Sequence, residues 1–103
     1  MMERRKSARV RADLPVVAYQ DGVAHRARAL DLSCGGALLQ RTAEHPPPLF
    51  QRVELFLGAK QPVRGVARTV WAQNGMCAVH FVDFCDADRL EIAEHIDRAA
   101  RRW

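Results

Sequence analysis

Two dipeptides, Asp21-Gly22 and Asn74-Gly75, constrain this chain more than any other feature, because each sits between two runs rich in β-branched and aromatic residues. Asp, Asn and Gly tolerate the positive φ angles that a two-residue turn imposes, so each pair predicts a tight β-hairpin. Leu14 to Tyr19 and Val23 to Leu32 flank the first turn; Val63 to Gln73 and Met76 to Phe84 flank the second. Arg26 and Arg28 keep one face of the first return strand wet. Gly35-Gly36 marks a bend or bulge, after which Ala37-Leu38-Leu39 resumes as strand. Pro46-Pro47-Pro48 forbids regular structure, leaving a connection from about Arg41 to Phe50 ahead of a strand through Val53, Leu55 and Leu57.

The period changes after Phe84. Leu90, Ala93, Ile96 and Ala100 recur at three- to four-residue spacing, with Ile92, Ala99 and Trp103 alongside, and Asp86 or Asp88 can cap. This predicts an amphipathic helix from about residue 87 to 101, within the segment 86–102. Residues 1–13 are basic and aperiodic and read as a flexible arm. The 103 residues suffice for a single domain with one core. The expected fold is mainly β: a six-stranded antiparallel β-barrel over 14–84, a C-terminal α-helix at 86–102, and the N-terminal arm at 1–13. Several strands are apolar on both faces, as in Val79 and Phe81 against Met76, Ala78 and Val82. A barrel buries one such face, and the helix or a second protomer covers the other, so a monomer or weak homodimer is expected.

Composition narrows the function classes. Cys34, Cys77 and Cys85 are odd in number and show no CxxC spacing, which argues for free thiols in a cytoplasmic protein. Met1-Met2-Glu3-Arg4-Arg5-Lys6 has no apolar segment behind it, and no apolar run approaches the roughly 18 residues of a spanning helix, so neither export nor membrane insertion is expected. The net charge of +4 points to an anionic partner, and Arg4, Arg5, Lys6, Arg9 and Arg11 concentrate it near the start. Arg98, Arg101 and Arg102 have an ordinary use at the negative end of a helix dipole. His25, His45, His80 and His95 are scattered, and His80 reads as a strand residue with a satisfied ring. Asp83, Asp86 and Asp88 read as a strand end and helix cap rather than metal ligands. No catalytic residue, metal or cofactor is expected, and the chain is not expected to be an enzyme.

Two short motifs carry the chemistry. Arg5-Lys6-Ser7-Ala8-Arg9 presents two guanidinium forks, each able to grip a phosphate or the O6/N7 edge of guanine through paired charge-assisted hydrogen bonds. Asp31-Leu32-Ser33-Cys34-Gly35-Gly36 supplies a carboxylate acceptor, a hydroxyl and a glycine pair. A ligand rich in guanine and phosphate suits both. Arg5/Arg9 followed by Asp31/Ser33/Gly36 resembles the RxxxR and (D/N)xSxxG signature of the PilZ family, whose usual ligand is the bacterial second messenger cyclic di-GMP.

The resemblance spans nearly the whole chain and implies the same barrel with its terminal helix. It further implies that the arm folds across the ligand, with Arg5 and Arg9 on phosphate and guanine edges. Asp31 would accept from guanine N1–H and N2–H₂, Ser33 would bond a phosphate or base edge, and Gly35 and Gly36 would keep Cβ atoms clear. Arg4 would favour a stacked ligand dimer, and Trp71 would contact a base. On this reading the chain is a stand-alone receptor that signals to an unidentified effector protein by ordering its arm. Motility, polysaccharide export and the control of biofilms, adhesion or transcription are the outputs the family is associated with. The alternative is a PilZ-fold protein-interaction module that binds no nucleotide. A nucleic-acid-binding barrel would want several exposed aromatics, which the seven here, mostly in apolar strand patterns, do not supply.

Overall fold

A computed structural model describes residues 9–41, 46–58 and 61–101. Six strands, β1 (Val10–Gln20), β2 (Val23–Leu32), β3 (Gly36–Arg41), β4 (Phe50–Leu55), β5 (Val63–Gln73) and β6 (Met76–Phe84), precede one helix, α1 (Asp86–Ala100). All neighbours pair antiparallel in a closed barrel of order β1-β2-β3-β6-β5-β4. Both dipeptides turn the chain as expected: Asp21 and Gly22 have φ of 52° and 79°, and Asn74 and Gly75 repeat those values. Two successive positive φ angles match the twist of the strands they join.

Val16, Ala18, Ala29, Leu32, Leu39, Val53, Leu55, Val63, Ala67, Cys77 and Val79 fill the interior. Ile92 and Ile96 of α1 join that core, and the helix packs against β1 and β5. Phe81 and Phe84 meet with ring centroids 4.8 Å apart, a tilted contact that adds packing beyond simple burial. Of the residues that made β6 look apolar on both sides, Val79 points in and Val82 is exposed, while Met76 and Ala78 are half-buried on the outer side. Among the described residues, no helix is long and apolar enough to cross a membrane.

Four expectations need correction. The arm does not extend to residue 13: Val10 pairs with Leu32 and Arg11 with Asp31, so β1 starts at Val10. The signal was short and lay directly behind the basic cluster: Val10, Ala12 and Leu14 alternate with exposed Arg11 and Asp13, and the pairing with β2 shifts register between Arg11 and Leu14, where Arg28 bonds the Asp13 carboxylate and, at 3.0 Å, the Asp13 carbonyl. The helix N-cap is Cys85, without a side-chain cap bond; Asp86 and Asp88 lie in the first turn, where Asp88 instead accepts from the Arg64 backbone N–H at 3.1 Å. Leu90 is exposed, because the buried stripe runs through Ile92 and Ile96. The expected strand through Leu57 is β4, which ends at Leu55, with Leu57 half-buried against the core.

Candidate functional site

The turn from Ser33 to Gly36 is built by its own side chain. Ser33 N–H donates to the Gly36 carbonyl at 2.8 Å, and the Ser33 hydroxyl accepts from Gly36 N–H at 3.1 Å while lying 3.3 Å from the same carbonyl. Ser33 is only 5% exposed. A hydroxyl expected to face a ligand is thus turned inward to hold the loop. Gly36 is also required by packing: a Cβ there would lie 2.1 Å from the Val79 carbonyl of β6, whereas a Cβ at Gly35 would meet open space. Of the two glycines, only Gly35 leaves room toward solvent.

Asp31 faces outward because of a bulge. Ala29 and Leu32 are both buried, an odd separation that strict alternation forbids. The register between β2 and β3 shifts between Ala29 and Asp31, and the extra residue, Leu30, changes the parity. Without it, Asp31 would point into the barrel. A second shift between Thr69 and Trp71 does the same on β5: Thr69 turns inward to bond Gln51 and Pro48, while Val70 and Trp71 are both exposed.

Cross-strand pairs share a face, so the register defines rows on the outer surface. Arg11, Asp31, Leu38, Ala78 and Trp71 form one row across β1, β2, β3, β6 and β5. The next row is Gly36, His80, Arg68 and Phe50. At roughly 4.8 Å per strand, about 14 Å of sheet separates Asp31 from Trp71, floored by Leu38 and Ala78. Trp71 is 48% exposed, with its indole free of the core.

Arg9 lies over the near end of this floor. Its Nη1 donates to Asp31 Oδ1 at 2.8 Å, which brings one residue from each motif into contact. The side chains are 55% and 28% exposed, so the ion pair is worth only about 0–1 kcal/mol. It is weak enough to exchange. Arg4 and Arg5, expected to act beside Arg9, lie outside the described residues. Sequence reasoning did not single out Arg68, and His80 is a strand residue of β6 as expected, but its ring is exposed and has no side-chain partner among the described residues. Their spacing gave a signal only once the register of β5 against β6 was known. Among the described residues no cluster of three or more His, Cys, Asp or Glu could hold a metal ion.

The family profile described as PilZ domain matches residues 3–98. The chain belongs to the PilZ family. Its fold is similar to that of the Bacillus subtilis inhibitor of motility (MotI/DgrA), with a TM-score of 0.81 at 14% identity over 99% of this chain and 55% of that one. The chain therefore spans about half the length of that protein. It is also similar to the PilZ domain of CeSA from a cellulose-synthesizing bacterium (TM-score 0.70, 19% identity, 92% of this chain and 100% of that one). A third neighbour is the PilZ domain of YcgR from Escherichia coli, solved with c-di-GMP (0.69, 17%, 96% and 93%). No curated protein compared with the chain matches it. The identities are low, so these likenesses speak for the PilZ barrel and its terminal helix.

Proposed function

We propose that this PilZ domain is a receptor for cyclic di-GMP that signals to a partner protein through its N-terminal segment. The contact between Arg9 and Asp31 carries the reading, because it joins one residue of each signature motif. Arg9 occupies only Oδ1 of Asp31, and the carboxylate has further acceptor capacity for the guanine N1–H and N2–H₂, a donor pair adenine lacks. A guanidinium held by a weak ion pair can move onto a phosphodiester at little cost. Arg5, four residues upstream, reaches up to about 13 Å from Arg9 in extended chain, close to the distance across the floor to Trp71. Purines stacked between an arginine plane and the indole would span that floor, and Arg4 would add charge for a stacked dimer.

Gly35 leaves the rim open, while Ser33 and Gly36 fix its shape. Because Val10 to Asp13 already belong to β1, the ligand-driven change falls on Arg9 and the residues before it rather than on the whole arm. The effector that reads this change is a protein; the likeness to an inhibitor of motility makes a motility component the first candidate. A cytoplasmic site of action follows from this role.

A second reading, a protein-interaction module without nucleotide, draws on the same contact: Asp31 holds Arg9 on the barrel surface, where the basic residue would face an acidic protein partner. Calorimetric titration of the protein with cyclic di-GMP at near-physiological salt separates the two. Micromolar or tighter binding that weakens about 10–100-fold in Arg9→Ala supports the receptor. Absence of heat with the wild type removes it and leaves the interaction module.

A further inference from the structure

The second outer row holds a histidine that neither signature motif contains. β6 places His80 directly between Gly36 of β3 and Arg68 of β5. Gly36 has no side chain to cover the imidazole on its β3 side, and the ring has no hydrogen-bond partner among the described residues. Ala78, two residues back on the same face, is the floor residue beside Trp71. His80 and Arg68 therefore edge the floor along the side lying toward Phe50, just as Asp31 and Trp71 stand at its two ends.

We infer that His80 and Arg68 form an anion-facing edge of the nucleotide site and that His80 makes nucleotide affinity depend on proton uptake. The inference rests on the receptor reading above. Arg68 supplies a permanent cation, and a phosphodiester laid over the neighbouring imidazole favours its protonated form. Binding then draws a proton onto His80, and affinity rises as pH falls through the range in which histidine titrates. Among the described residues, the charged or titratable groups on the paired strands and the adjoining turn include Arg68 on β5, Asp83 further along β6, Cys34 in the β2–β3 turn, and the Arg9–Asp31 pair beyond β3. Cys34→Ser serves as the control for the neighbouring thiol.

The test measures cyclic di-GMP affinity by calorimetry near pH 6 and near pH 8 for the wild type, His80→Gln, His80→Arg and Cys34→Ser. Wild type and Cys34→Ser are expected to bind about three- to tenfold more tightly at the lower pH, within the limit of tenfold per pH unit for one proton. His80→Gln should bind with little pH dependence at the weaker, high-pH affinity, and His80→Arg with little pH dependence at the tighter one. His80 is exposed, so these substitutions leave the core intact. An unchanged pH dependence in His80→Gln overturns the inference while the receptor stands. Failure of the wild type to bind at either pH overturns the receptor reading, and this inference with it.

Discussion

The barrel carries a groove of about 870 Å³ around Tyr19, Arg52, Glu54 and Arg64, and a shallower floor of Leu38 and Ala78 between Asp31 and Trp71. The two differ in how far their polar groups already pair. In the groove the Tyr19 hydroxyl donates to Glu54 at 3.2 Å, and the Arg64 guanidinium lies 3.6 Å from the same carboxylate. Burial, and then the Glu54 charge, push the Tyr19 phenol above its usual range. Arg52 and Asp83 flank Val66, so charges of both signs share that wall. On the floor side, Arg68 and His80 have no side-chain partner among the described residues, and Asp31 has only the exchangeable Arg9. The floor therefore joins open hydrogen-bonding and charge capacity to apolar side chains, the combination the proposed nucleotide contact uses.

Removing one carboxylate from each face separates the two most strongly. Asp31→Ala should weaken cyclic di-GMP binding about 10–100-fold, while Glu54→Ala leaves it unchanged. Equal losses in a calorimetric titration would mean that the two faces had been assigned wrongly. Next in size, Gly36→Ala forces a Cβ against the Val79 carbonyl and should lower stability by about 1–3 kcal/mol in urea denaturation. Gly35→Ala meets open space and should stay within about 0.5 kcal/mol; a larger loss there would show that the turn is held differently.

Trp71→Ala should cost about fivefold in affinity, the low end for a stacked base because the indole is already half-exposed. Unaltered affinity would move the base contact away from β5.

The smallest effect concerns the interior. Burial raises the Cys77 thiol above its ordinary value, outweighing the lowering by Thr69, Arg41 and Gln51. With the folded pKa raised, the stabilisation is fully present below the unfolded value of about 9 and is lost as pH rises through the folded one. The denaturation midpoint should therefore fall in mild alkali, and less so in Cys77→Ala. In the native protein Cys34 and Cys85 should react with a thiol reagent while Cys77 stays protected; rapid labelling of all three would mean that the barrel opens.

Much of the architecture was legible from local chemistry. Asp21-Gly22 and Asn74-Gly75 located both tight hairpins, and the change of period after Phe84 located α1, since turn propensity and amphipathic spacing are properties of neighbouring residues. The floor was not legible, because it is assembled from four strands whose relative registers no short stretch of sequence encodes. His80 shows the gap: within Val79-His80-Phe81 it reads as an ordinary strand residue, and only its pairing with Gly36 and Arg68 gives it a place.

Sequence alone settled which residue types are available for binding: two arginines, a carboxylate, a hydroxyl, a glycine pair and an indole. The tertiary structure decided which way they point. Asp31 and Trp71 each follow a bulge that shifts the in–out alternation by one, and without that shift both would turn into the core. Alternation has a period of two, so a single inserted residue inverts a side chain's face, and the position of that insertion is set by pairing across the barrel rather than along the chain.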